Sequence, residues 1–532
     1  MEEQTALKAD QAVQGPRKIR GILLARNTAL NVVGQVLPLL VAVGVIPYII
    51  RHLGIDAFGV LSIAWAVLNM STILDLGLGR ATTRFVAEYL GHGKEELVPG
   101  VVWSSLGAQI PLGIVGGILI LVFTPLLAGR VLRVAPQLVG ETETVFYIIA
   151  IFLPLVLASN PLRGTIEAIQ RFDLVNYVRV PANALMLLLP AVAVAFGIRL
   201  PGIVFLLALV RLGMTVAFLM VCFGTLPILR RRFSFKGSGI RQLFAYGGWI
   251  MVSNVTGPVM MYLDRFMIGA LLSVGAVSFY AAPIELAQRT GIFPISLATA
   301  LFPFYGWHGH EQSKLLSDVS VKSCKYILLV MTPVTIILVV FARELLGLWL
   351  GTNFAAQSTV VLQILAIAYL LNAVAYVPYT AVQALDHPDW KAKLDTANVF
   401  LFALLLWWLV PRTGINGAAL AKLMIAAVDF VCLFLFAAQL DAFSVRSASS
   451  RFLWRTIVAS GVLAVCIKLV EQLRLALVFE LSFAALLFAV YAVTCWKFVI
   501  DRREKLTLFD LARLLPWRKT MGGILNEPSP DV

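Results

Sequence analysis

Long apolar runs separated by short polar breaks set the pattern of this chain. The first two run from about residue 28 to 50 and from about 57 to 79, each long enough to cross a hydrocarbon core of about 30 Å as helix. Between them LGIDAFG, Leu53 to Gly59, places Gly and Asp where the chain must reverse. The second run closes on the glycine-broken DLGLGR, Asp75 to Arg80. The pattern predicts a hairpin of two membrane-crossing helices.

The hairpin returns about 219 residues later, where LSVGAVSFYA from Leu272 lines up with LGIDAFGVLS from Leu53. Two further pairings keep nearly that spacing: GTIEAIQRFD from Gly164 with TAVQALDHPD from Thr380, and the Gly202 turn with the Gly417 turn. Three ordered pairings at almost constant spacing predict a duplicated bundle.

Apolar windows give about fourteen spans, six in each repeat and two beyond. The expected organisation is a cytoplasmic N-terminal segment over 1–27, an N-lobe over 28–226, a basic cytoplasmic linker over 227–242, a C-lobe over 243–440, two accessory spans over 441–500 and an amphipathic basic tail over 501–532. Six spans is an even number, so both lobes take the same orientation, related by a pseudo-two-fold axis along the membrane normal with a cavity between them. In the tail, Leu506, Phe509, Leu511 and Leu514 stand among charges at spacings that form an apolar helical stripe, suited to the inner headgroup layer. A similar short helix is expected over Arg17 to Asn27.

Composition turns these runs into a class. Of 532 residues, 60% are hydrophobic and 14% charged, against roughly 45–50% and 25% in soluble domains. Unbroken apolar runs select helices over the alternating strands of a barrel. The fold class is therefore all-α and polytopic, in a membrane. The polar N-terminus lacks a convincing cleavable signal, so its retention is expected. Five cysteines lie scattered in or beside apolar runs, without CxxC or metal-type spacing, and read as small buried hydrophobes.

The net charge of +14 changes the picture only through its distribution. With the N-terminus inside, about thirty Lys and Arg fall on inner loops, about nine on outer loops and four within spans, which places both termini in the cytoplasm. The densest cluster is Arg230, Arg231, Arg232, Lys236 and Arg241, between the repeats. This asymmetry accounts for the basicity without a nucleic-acid partner.

Taken together, NTALNVVGQ at Asn27, HLGIDAFGVLSIA at His52, LDLGLGRATTRFVAE at Leu74, YLDRFMIGALL at Tyr262 and GINGAALA at Gly414 resemble the polysaccharide transporter family. These are oligosaccharide flippases of the Wzx or O-antigen type, within the multidrug/oligosaccharidyl-lipid/polysaccharide superfamily, and the likeness covers nearly the whole chain. It implies a V-shaped pair of six-helix lobes that moves undecaprenyl-diphosphate-linked oligosaccharide from the cytoplasmic to the outer leaflet of the bacterial inner membrane. It further implies membrane lipids, polysaccharide polymerase and chain-length machinery as partners, no bound cofactor, and a proton or sodium gradient as the drive.

Four basic residues fall inside spans: Arg179, Arg211, Arg289 and Lys422. A basic group at mid-bilayer costs about 2.5–3.5 kcal/mol on insertion scales, so it faces water or a partner. A carrier of lipid-linked sugar must hold a diphosphate, and guanidinium forks bind phosphate oxygens bidentately. Arg211 and Arg289 are the leading candidates. Against this, Glu285, one turn before Arg289, is placed to neutralise it, while Arg179 and Lys422 lie near enough to span ends to snorkel. Arg80 and Arg84 follow the broken second span, where they either meet an incoming diphosphate or anchor the inner side. Asp264 and Arg265 match the family's acidic–basic pair, with Arg265 read as snorkelling outward. Asp75, Glu285, Asp264 and Asp429 are the intramembrane acids, candidate seats for proton or sodium coupling.

Three other activities compete. A cation-coupled multidrug exporter of the same superfamily needs acids and aromatics in its cavity, whereas the excess here is basic. A lipid II flippase differs only in its glycan. A membrane enzyme, either a polysaccharide polymerase or a polyprenyl-phosphate glycosyltransferase, needs positioned carboxylates or arginines outside. Here the outer loops are short, and no DxD pair or Ser/His/Asp set is present.

Overall fold

The computed structural model describes residues 41, 44–231, 255–308, 313–444, 450–472 and 477–500. The expected segments 1–27 and 501–532, with most of the first span and of the 227–242 linker, lie outside the described residues. Everything regular in the described chain is helix, as a bilayer requires of backbone that has no water to bond.

The principal helices are α1 (44–53), α2 (Ile55–Met70), α3 (Leu78–Gly91), α4 (Val98–Leu126), α5 (Val139–Ala168), α6 (Phe172–Ala195) and α7 (Leu200–Thr225). After a gap in the described residues come α8 (255–271), α9 (Val274–Gln288), α10 (Ile292–His308), α11 (Ser313–Val340), α12 (Ala342–Leu350), α13 (Thr352–Ala384), α14 (Pro388–Thr413) and α15 (Ile415–Gln439). Two more, α16 (Ser450–Gln472) and α17 (Leu477–Phe498), end the described chain. Among the described residues nine helical stretches are long and apolar enough to cross a membrane, against about fourteen expected. Part of the shortfall has a local cause. The first and seventh spans run into residues not described, and the eighth is interrupted between α9 and α10 by a 3-10 turn at Arg289–Gly291.

The duplication is visible in the backbone. Helices α2 and α9 begin 219 residues apart, and each passes directly into a 3-10 turn, Ser71–Asp75 and Arg289–Gly291. The starts of α6 and α14 are 216 apart, those of α7 and α15 are 215 apart. Ahead of α6 and α14, Gln170 and Asp386 both take left-handed backbone, with φ of 59° and 64°. Ahead of α7 and α15, Gly197 and Gly414 do the same. Identical reversals at a fixed spacing are what two copies of one bundle leave behind.

The described residues form two compact units. The first takes those up to Ile292 together with Ala342–Ala368 and Pro388–Val428, and the second takes Phe293–Phe341, Tyr369–His387 and those from Asp429 onward. In the first, α5 is the central helix, packed against α3, α4 and α7, and α2 lies along α9. Its interior carries Val86, Val102, Leu162, Ile166 and Phe218, all buried. In the second, α11 packs on α16, and α16 on α17, where Ser460 and Tyr491 share a hydrogen bond of 3.1 Å.

Candidate functional site: a cationic cluster in the first unit

The cluster starts at the α8–α9 hairpin. Ser273 opens α9 by accepting the Ala276 N–H at 3.1 Å, so the two helices run back along each other and face their polar side chains inward. Asp264 on α8 is fully buried. Its Oδ2 accepts from the Tyr280 hydroxyl at 2.8 Å and from Lys422 Nζ at 3.2 Å, while Oδ1 accepts the Arg265 N–H at 2.9 Å. Lys422, on α15, also donates to the Met260 carbonyl at 2.8 Å, and its ammonium sits 5.1 Å from the Phe402 ring centroid. With its side chain 12% exposed and its charge matched by a buried carboxylate, Lys422 ties three helices together.

Arg265 corrects the sequence reading. Instead of snorkelling outward it turns inward, with its side chain 3% exposed, and donates from Nη2 to Glu285 Oε1 at 2.9 Å. The Tyr262 ring lies 5.3 Å from its Cζ, and its Nε has no partner among the described residues. The other oxygen of Glu285 is 3.5 Å from Arg289 Nη2. One carboxylate is thus shared by two guanidiniums. Glu285 and Arg289 keep 32% and 35% of their side chains exposed, so this end of the pair is only partly covered by protein.

Arg211, on α7, is a second guanidinium near Tyr262. Its Nη2 donates to Asn69 Oδ1 at 3.3 Å, and the Tyr262 phenol neighbours both Asn69 and Arg211. Its Nε is enclosed without a partner, and no carboxylate pairs with it among the described residues. Arg211, Arg265, Arg289 and Lys422, four cations, are thus set against two acids, Asp264 and Glu285, leaving two uncompensated positive charges. Asn69 and Tyr262 join the candidate set here.

The repeat makes the cluster conspicuous, because the frame is doubled and the charge is not. Positions 219 residues before Asp264, Arg265 and Glu285 are Val45, Ile46 and Ala66, all buried and apolar, and the counterpart of Lys422 at the 215 spacing is Leu207.

The remaining candidates lie elsewhere. Asp75 closes the 3-10 turn after α2, where Leu76 and Gly77 both take left-handed backbone. Its carboxylate accepts the Gly79 N–H at 3.2 Å and the Gln109 amide, which caps the start of α3. Arg80 and Arg84 are exposed on α3, with the Arg84 guanidinium 5.9 Å from the Phe85 ring. Arg179 is exposed on α6, apart from the cluster's contacts. Asp429 belongs to the second unit.

Long apolar helices, a duplicated frame and a cationic cluster between spans define a polytopic membrane protein. The sequence model of the family described as "Polysaccharide biosynthesis protein" matches residues 24–306, more than half of the chain, and the chain belongs to that family. A Shigella flexneri protein named for O-antigen transport is 27% identical over 398 residues, covering 75% of this chain and 94% of that one. A Haloferax volcanii protein named as a flippase of low-salt glycan biosynthesis is 29% identical over 235 residues, 43% of this chain and 48% of that one. Among solved structures, the lipid II flippase MurJ in an inward closed conformation aligns with a TM-score of 0.69 at 12% identity, over 90% of this chain and 100% of that one. A multidrug-resistance MATE transporter of the MOP superfamily, facing inward, gives 0.62 at 14% identity, over 76% and 96%. The last two likenesses are of fold.

Proposed function

We propose that this protein flips an undecaprenyl-diphosphate-linked oligosaccharide from the cytoplasmic to the outer leaflet of the bacterial inner membrane, with Arg211, Arg265 and Arg289 as the seat of the diphosphate. The observation that carries the reading is a cluster of four cations, three of them guanidiniums, set against two carboxylates, Asp264 and Glu285. A dianionic headgroup matches that surplus, and guanidiniums remain charged when desolvated. The family supports a glycan cargo, as do the relatives named for O-antigen and low-salt glycan work. In this reading 28–226 and 243–440 are the two lobes, both termini are cytoplasmic, and polysaccharide polymerase acts on the delivered lipid. Glu285, the acid of the cluster that is not buried, is the candidate seat for a coupling proton or sodium ion.

Purified protein in proteoliposomes, given a fluorescent polyprenyl-diphosphate oligosaccharide, is expected to make the lipid accessible on the opposite leaflet. If lipid II alone is moved, the second reading, a lipid II flippase, takes its place; the alignment to MurJ over 90% of the chain favours that alternative above others. Movement of neither lipid removes both.

Orientation has its own test. Gly54→Cys and Gly414→Cys are expected to react with an impermeant maleimide added outside intact cells, and Ser238→Cys and His387→Cys are not. Outside labelling at Ser238→Cys reverses the topology and the leaflet direction with it.

A further inference from the structure

Helix α6 divides into three sectors rather than the two of an ordinary lipid-facing span. Val175, Ala182, Pro190 and Ala193 are buried and project to one side, the side that packs on α5 and α7. Pro181, Leu185, Leu188 and Val192 are exposed and apolar, on the side opposite, as lipid requires. Between these sectors Asn176, Arg179 and Asn183 project within about 60° of one another at 100° per residue. All three are exposed, and none has a hydrogen-bond partner among the described residues.

Depth decides what this stripe faces. Asn183 lies eleven residues into α6, about 16 Å along it, close to the middle of a core about 30 Å thick. An asparagine side chain is too short to snorkel from there, whereas Arg179, one turn nearer the start of the helix, can reach the headgroups. Asn183 therefore faces water or a polar partner, and the stripe leads down to it from the start of the helix. A second copy of the chain is disfavoured: a two-fold contact through this face would set Arg179 against its own symmetry mate. Asp173, the nearest acid on the helix, is already bonded by Arg171 at 2.9 Å and brings no counter-charge.

We infer that Asn176, Arg179 and Asn183 form a track for the sugar portion of the cargo, a neutral or acidic oligosaccharide, separate from the guanidiniums that take the diphosphate. Each amide offers both a donor and an acceptor, which matches vicinal sugar hydroxyls, and the guanidinium adds donors for hydroxyl or carboxylate. This inference rests on the proposed glycolipid cargo and adds where the glycan sits.

The test uses the full-length protein. Asn176→Leu with Asn183→Leu is expected to cut transport of the glycolipid about tenfold, the worth of one or two hydrogen bonds, and to leave binding of geranylgeranyl diphosphate unchanged. In inside-out vesicles the thiol of Asn183→Cys is expected to react with a charged maleimide and to be protected by the glycolipid but not by geranylgeranyl diphosphate. Wild-type transport rates in the double variant overturn the inference. So does an unreactive or unprotected thiol at 183, or a change in oligomeric size on substitution, which marks a contact between copies. Should the double variant misfold, the protection result decides alone. If the wild type binds no isoprenoid diphosphate at all, the diphosphate seat fails, while protection by the glycan still reports on the track.

Discussion

Arg265→Ala abolishes transport at unchanged protein level, and deleting Glu285 in the same chain does not restore it. That is the expected result if Arg265 serves the cargo. In the resting structure Arg265 spends one nitrogen on Glu285 and leaves Nε unpartnered, inside a pocket floored by the Tyr262 ring. Loss of a desolvated, hydrogen-bonded charge pair costs about 2–5 kcal/mol, so a drop of at least about thirtyfold in flipping rate is expected. Arg265→Lys keeps the charge, loses the fork and retains part of the rate. A structural role gives a different pattern. If Arg265 only neutralises Glu285, the defect comes from an acid left with the distant Arg289 contact alone, and Arg265→Ala with Glu285→Ala recovers transport because the buried pair leaves together. Flipping rates in proteoliposomes, alongside thermal stability of each variant, separate the cases. Recovery in the double variant, or more than a tenth of wild-type rate in Arg265→Ala, removes Arg265 from the site.

The sequence disclosed the frame better than the site, for a physical reason. Membrane helices are written in continuous apolar runs, and reversals in Gly and Asp, so the hairpin at Leu53 and its copy at Leu272 could be read directly. The repeat spacing was then confirmed to a residue or two by the left-handed backbone at Gln170 and Asp386. The charged cluster joins residues far apart in the chain: Arg211 to Asn69 across 142 positions, Lys422 to Asp264 across 158. No local period encodes such pairs. Arg265 was misread because its neighbour Asp264 points about 100° away on the helix, and its real partner comes from the returning helix of the hairpin. Hairpin register held a clue, since Asp264 and Tyr280 lie at similar distances from the turn at Leu272 and Ser273, and they do meet. The interruption of the eighth span at Arg289 had only Gly291 and Pro294 as warning, both common in membrane helices that continue.

Gly59→Leu is expected to block transport by forcing α2 and α9 apart. These helices are repeat mates, and they touch through reciprocal positions. A Cβ at Gly59 would run into the Val274 carbonyl, and 219 residues on, the Ser278 hydroxyl donates to the Ile55 carbonyl at 2.6 Å. Between them Gly275 lies against the Asp56 carboxylate, itself a pair related by the same spacing, so the pseudo-two-fold axis passes there. The loop before α5 fastens the same end, where the Arg133 N–H donates to the Gly269 carbonyl at 3.0 Å and the Arg133 carbonyl accepts the Val274 N–H at 3.2 Å. In the proposed orientation this is the outer end, and the contact seals it. A backbone carbonyl cannot swing away as a side chain does, so the cost of overpacking, about 1–3 kcal/mol or more, falls on the closed arrangement. Ser62, one turn below on α2 and buried, is the reporter. Its thiol in Ser62→Cys should be silent to an impermeant maleimide added outside, and should react once Gly59→Leu is present, while transport falls at least about tenfold. Gly59→Ala should lie between, since its Cβ alone already meets the carbonyl. Near-normal transport in Gly59→Leu with Ser62→Cys still silent would mean that the two helices do not have to stay closed at this point during the cycle.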